Sequence, residues 1–146
     1  KDTWMILGVT EGEEDKLKYR RTWILGYETK RYGLILDYAF GNHPFTFNYR
    51  AGNVFVANAV FYPSNAPLRI AIKDKNVLDR RVKRLVGFST FPDYLDFYAK
   101  NLALNPWQLS FPCSLEKVRP ILKKGDLYLL DQEENVIPLF QQEKTK

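Results

Sequence analysis

Two consecutive stretches alternate so regularly that they leave little choice of local structure. From Leu17 to Tyr27, one parity carries Tyr19, Arg21, Trp23, Leu25 and Tyr27, and the other carries Arg20, Thr22 and Ile24. From Tyr32 to Phe40, the residues Tyr32, Leu34, Leu36, Tyr38 and Phe40 share one parity. A period of two marks a half-buried β-strand, because successive side chains point to opposite faces. The polar connector Glu28-Thr29-Lys30-Arg31 has hairpin length. The two stretches are therefore expected to pair antiparallel, with their aromatic rows side by side as the packing face.

The same reading extends along the chain. Thr3–Val9 is expected as a first strand and Thr10–Lys16 as an acidic turn. Gly41-Asn42-His43-Pro44 breaks the pattern, and Phe45–Tyr49 reads as a short strand. Val54–Tyr62 is apolar on both parities except at Asn58, as in a central strand covered on both sides. Leu68, Ile70 and Ile72 supply the next alternation.

Beyond Lys73 the spacing becomes helical. Leu78, Val82, Leu85 and Val86 predict a helix over 77–86, with Asn76 as N-cap and Gly87 as terminator. A second helix has Ser89 or Thr90 as cap, Pro92 in its first turn, Asp93 complementing its dipole, and a stripe of Phe91, Leu95, Tyr98 and Leu102. A third, over 114–122, is interrupted by Pro120. Asp126–Leu130 and Val136–Phe140 flank a polar turn and predict a hairpin.

The expected fold is α+β and β-dominant: an antiparallel meander, or a partly open small barrel, of five to seven strands with two or three helices. At 146 residues the chain is expected to be one domain, β-rich over 1–73, helical over 76–122 and closed by a hairpin over 126–140.

A resemblance is carried by Arg21-Thr22-Trp23-Ile24-Leu25-Gly26, Leu34-Ile35-Leu36-Asp37-Tyr38-Ala39-Phe40, Val60-Phe61-Tyr62-Pro63-Ser64 and Pro67-Leu68-Arg69. This succession, within Asp2 to Lys73, resembles the region downstream of the zinc finger in bacterial SWIM zinc-finger-domain proteins. The Cys-x-Cys and Cys-x-His pairs of the finger itself are absent. With Lys1 in place of an initiator Met, the expectation is a domain excised from a longer protein. The resemblance implies a platform adjoining a finger that contacts nucleic acid or protein. It transfers no functional residue.

The sequence offers little catalytic chemistry. A structural zinc site takes about four Cys or His ligands, whereas this chain has one of each, His43 and Cys113. No metal or cofactor is expected. The single cysteine also precludes an internal disulfide and fits a reducing, cytoplasmic setting. Cys113 has no electropositive neighbour closer than Lys117, and His43 sits in a turn, so the two do not read as nucleophile and base. No nucleophile elbow, P-loop or dinucleotide fingerprint occurs. Trp4–Leu7 is too short for a signal-peptide core, and no stretch approaches a membrane span. The cluster Glu11, Glu13, Glu14 and Asp15 reads as a solvated turn.

Charge gives the functional lead. Lys and Arg outnumber Asp and Glu by 22 to 17, and Lys73–Arg84 alone holds six positive residues against two negative. On the predicted helix, Arg80, Arg81, Lys83 and Arg84 form an outward face suited to phosphates. Arg20 and Arg21, interleaved with Tyr19 and Trp23, match the stacking surfaces of single-strand binders. Asp37 shares its parity with Ile35 and Ala39, which predicts a buried ion pair with Arg69 or Arg21.

The function expected is that of a non-catalytic binding or scaffolding module, with nucleic acid as the partner of the basic helix. One alternative is a protein-interaction domain using exposed aromatic surface. Another is a small-ligand or enzymatic barrel in which Asp37, Arg69 and His43 converge on a cavity.

Overall fold

The first strand, β1 (Asp2–Glu14), runs through the segment expected as an acidic turn and pairs antiparallel with β2 (Leu17–Gly26). Only Asp15 and Lys16 turn the chain, with φ of 48° and 65°. Positive φ at both central residues is the type I′ geometry, whose twist matches that of the flanking strands. β2 then pairs with β3 (Tyr32–Phe40) in the register that places Leu25 opposite Tyr32 and Arg20 opposite Asp37.

The chain next departs from a meander. β4 (Asn53–Phe61) returns to β1, placing Trp4 opposite Phe55, and β5 (Ile70–Arg81) adds to β4. The sheet order is β3-β2-β1-β4-β5. β3 and the residues just before β5 touch through a parallel bridge between Leu34 and Arg69, with the Leu34 N–H donating to the Leu68 carbonyl at 2.8 Å. The sheet curls but does not close into a barrel.

This computed structural model describes residues 1–140, with the side chains at 75 and 77–79 excepted. The chain divides into two compact units, Lys1–Arg84 and the part from Leu85 onward.

The core of the first unit is Trp4, Ile6, Ile24, Ile35, Tyr49, Phe55, Ala57 and Ile70. Ile24 and Ile35 belong to the parity opposite the aromatic rows, so the inward face is corrected, although Leu25 and Tyr32 of those rows are buried as well. The outer row leaves Tyr38 57% and Phe40 64% exposed, while Ile24 is fully buried. Curling supplies the reason. The inside of a bent sheet has less room per residue, so β2 and β3 turn Thr22, Ile24, Gly33, Ile35 and Ala39 inward, while Trp4, Tyr49 and Phe55 supply the rings of the core. An added Cβ at Gly33 would press on Ile70 and Ile24. The expected strand over 45–49 is instead irregular, and it delivers Tyr49 into the core against Phe55.

In the second unit, α1 (Phe91–Leu104) begins as expected. Thr90 Oγ1 accepts from the Asp93 N–H at 3.3 Å, and Pro92 occupies the first turn. Its packed side keeps Phe91 and Tyr98 of the predicted stripe but not Leu95, which is exposed, and Tyr94 and Phe97 join Tyr98, Phe88 and Phe111 in an aromatic cluster.

The predicted third helix is absent. Leu115 forms a bridge to Phe88, and Pro120 lies in β6 (Arg119–Lys123), an edge strand that tolerates a missing N–H. β6, β7 (Asp126–Leu130) and β8 (Val136–Leu139) form an antiparallel sheet in that order. Asp131 organises the β7–β8 turn by accepting from the Glu133 and Asn135 N–H groups, and it also accepts from the Phe91 N–H at the helix start. Among the described residues, no helix is long and apolar enough to cross a membrane.

Candidate functional site

The segment predicted as a basic helix is the end of β5 and the strap that follows it. Between Lys73, opposite Asn58, and Arg80, opposite Val54, β5 spends seven steps where β4 spends four. The surplus sits in bulges, one of them at Asp74 with φ 48°. Bulges break the period of two, and the broken alternation imitates helical spacing. Pairing with β4 overrides that local pattern, and Asn76 is a paired strand residue opposite Val56 rather than a helix cap.

After Arg81 the backbone is fixed at two points. The Val82 N–H donates to the Gly52 carbonyl at 2.7 Å, and the Tyr27 hydroxyl donates to the Arg84 carbonyl at 2.6 Å. Burial pushes the Tyr27 hydroxyl above its usual pKa. Held in this way, Arg80, Arg81, Lys83 and Arg84 surround a groove of about 390 Å³. Its walls include the half-buried Thr3, Tyr27, Val54 and Val82, and Glu28 contributes one carboxylate. All four cations are exposed, and among the described residues none of them takes part in an ion pair. Four exposed positive charges against the single carboxylate of Glu28 in the groove lining favour a polyanion.

Arg20 is not part of that surface. Its side chain is buried, and its guanidinium donates through Nη2 at 2.8 Å and Nε at 3.3 Å to Asp37 Oδ2. The rings of Phe45 and Tyr49 lie 4.4 and 5.0 Å from the guanidinium carbon. The expected partners of Asp37 are thus corrected. Arg69 is exposed over Tyr62 and Arg21 is exposed over Tyr19, while the directly opposed residue of the hairpin, Arg20, takes the carboxylate. Burial and the Asp37 charge push the Tyr49 hydroxyl up to about 12, against the pull of Arg20.

His43 is exposed in the turn after β3, while the Asp37 carboxylate is taken by Arg20. Cys113 is exposed as a residue, yet desolvation of its sulfur pushes the thiol up to about 11, outweighing a hydrogen bond with Tyr94. A thiol of that kind holds almost no thiolate at neutral pH. Glu11, Glu13, Glu14 and Asp15 are exposed at the tip of the β1–β2 ribbon. A second cleft, of about 540 Å³, opens beside the β6–β7 turn with Ile121, Tyr128, Val136 and Lys123 in its lining.

No family model, curated protein or solved structure matches the chain.

Sequence reasoning found the four cations of the groove and missed its walls. The alternation marks Tyr27 and Val54 as packing residues, and nothing local to Val82 separates a strap from a helix. The Arg20–Asp37 pair was within reach. Once Leu25 is placed opposite Tyr32, counting five residues back along β2 and five forward along β3 makes Arg20 and Asp37 opposite.

Proposed function

We propose that this chain is a non-catalytic binding module of the kind that the SWIM resemblance implies, working in a bacterial cytoplasm beside a finger supplied elsewhere in a longer protein. Its partner in this reading is the phosphate backbone of nucleic acid, held in the groove of Arg80, Arg81, Lys83 and Arg84. The observation that carries the reading is the convergence of four exposed cations on one concavity, with no ion pair to any of them among the described residues. The charge of the first unit supports it: fifteen Lys and Arg stand against nine Asp and Glu in Lys1–Arg84, a net +6, so this unit carries the whole positive excess of the chain. Lys and Arg that neutralise phosphates release condensed counterions, which gives binding a steep salt dependence. Fluorescence anisotropy with labelled DNA and RNA across a salt series tests the proposal, and an absence of binding at low salt refutes it.

A second reading, a protein partner, is favoured by one observation in the other unit. The loop after α1 presents Trp107 at 88% and Leu109 at 97% exposure, and Gln108 ties the loop together by accepting from Asn105 Nδ2 and donating to the Ser110 carbonyl. An exposed Trp on an ordered loop is the kind of anchor that dominates protein interfaces. Capture of the same partner by wild type and by Trp107→Ala in a pull-down would count against it.

A further inference from the structure

We infer that the groove takes an unpaired nucleotide, so that the nucleic acid it recognises is single-stranded and not duplex. This rests on the phosphate-binding reading above and goes further by assigning work to the groove walls.

A site built for phosphates alone needs polar donors and access to water. This one sets Val54, Val82 and the ring of Tyr27 within the same concavity as the cations. All three are half-buried, so their apolar surface lies recessed between the charged side chains. A recess of about 390 Å³ cannot be entered by a duplex, whose bases are stacked inside and whose phosphates lie on a convex rod. An unpaired strand differs, because its bases splay out and stack on aromatic side chains while the backbone stays with the basic residues.

Glu28 fits the same picture. A carboxylate among phosphate-binding cations opposes a phosphate, but it is a natural acceptor for the exocyclic amino groups of an exposed base edge. Tyr27 cannot present its hydroxyl to the base, since that group is held by the Arg84 carbonyl at 2.6 Å. Its contribution is therefore the ring.

The test uses the full chain and three probes at one salt concentration: a labelled mixed-sequence single strand, a hairpin duplex of equal nucleotide count, and inorganic polyphosphate. The single strand is expected to bind roughly tenfold or more tighter than the duplex. Stacking on one aromatic corresponds to roughly a 5- to 150-fold effect on affinity. Tyr27→Leu should therefore lose single-strand affinity within that range while leaving polyphosphate affinity in place. Tyr27→Phe, which keeps the ring and removes the hydroxyl, controls for loosening of the strap and should retain the preference. Val54→Trp, which fills the recess from β4, should abolish the preference without reducing polyphosphate binding, and a thermal melt of each variant confirms folding. Equal affinity for single strand and duplex, or a Tyr27→Leu protein no weaker than Tyr27→Phe, overturns the inference and leaves phosphate binding standing. Failure of all three probes to bind overturns both.

Discussion

Replacing Arg80, Arg81, Lys83 and Arg84 together by Gln isolates the charge of the groove from its shape. The strap they occupy is held by the Val82 N–H and the Arg84 carbonyl, both backbone groups, so the side chains can change without releasing it. The fold should tolerate the change: the four groups have no ion-pair partner among the described residues, and removing like charges from one groove relieves repulsion. For a single strand, each phosphate neutralised contributes about −0.7 to the slope of log affinity against log salt. Four contacts give a slope of about −2.8, so raising salt from about 50 to about 200 mM should weaken wild-type binding roughly 50-fold. One Gln should reduce the slope to about −2.1 and the loss to roughly 20-fold. The quadruple variant should bind weakly and with almost no salt dependence. Anisotropy titrations at four or five salt concentrations measure the slopes directly. Equal slopes for wild type and the quadruple variant would refute the reasoning, because the counterions released would then come from another surface.

Other consequences concern stability. Asp37→Asn leaves the buried Arg20 guanidinium without its carboxylate and should cost about 3 kcal/mol in urea unfolding, the low end for a broken buried pair because Asp37 is a quarter exposed. The double replacement Arg20→Met with Asp37→Leu should recover most of that loss. Thr22 is fully buried with no hydrogen-bond partner for its hydroxyl among the described residues, so Thr22→Val should stabilise by about 1 kcal/mol, and a lower denaturation midpoint would contradict the assignment. Gly87→Ala would drive a Cβ into the backbone of Ser114 and Leu115, and should lower stability by about 1–3 kcal/mol in a thermal melt.

Acid titration offers a further check, at Asp2. Burial alone would raise its pKa, but hydrogen bonds from the Thr29 hydroxyl and the N–H groups of Glu28, Thr29 and Thr3 outweigh burial and hold it below its ordinary 3.8. A depressed folded pKa means that its contribution is fully present above the unfolded value. The contribution is then lost as pH falls through the folded one. Unfolding measured from pH 6 to 2 should show this loss below about pH 4 in wild type. It should be shallower in Asp2→Asn, which already lacks the charge.

How much of this was legible in the sequence varied with the regularity of each element. The β2–β3 hairpin, the capped start of α1 and the β7–β8 pair follow from short-range signals that nothing later contradicts. β5 was misread because its bulges destroy the alternation on which a strand is recognised. The aromatic rows, buried at Leu25 and Tyr32 but exposed at Tyr38 and Phe40, were only partly legible for a different reason. Periodicity shows that a strand has two faces, but which one turns inward depends on the curl of the sheet, set by the distant meeting of Leu34 with Arg69. Asp2 and Asp131 passed unnoticed because a carboxylate that collects backbone N–H groups looks locally like any solvated acid. In the groove the cations were legible and the concavity was not, since the concavity joins Thr3, Tyr27, Val54 and Val82 from four separate parts of the chain.

The β1–β2 ribbon has a consequence for kinetics. Its acidic tip, Glu11 to Asp15, and the basic groove beside Thr3 and Tyr27 lie at opposite ends of the same two strands. Eleven strand steps from Thr3 to Glu14 separate them by roughly 35 Å. In the field of a polyanion one end is repelled and the other attracted, so the unit behaves as a compass needle that turns before it touches. The torque acts across the whole ribbon only when the screening length is comparable, about 30 Å at 0.01 M salt, and collapses to about 8 Å at physiological strength. Reversing the tip with Glu13→Lys and Glu14→Lys removes the repelled end and raises the net charge by four, so it should change association rates relative to wild type at low salt only, a difference that stopped-flow mixing would register.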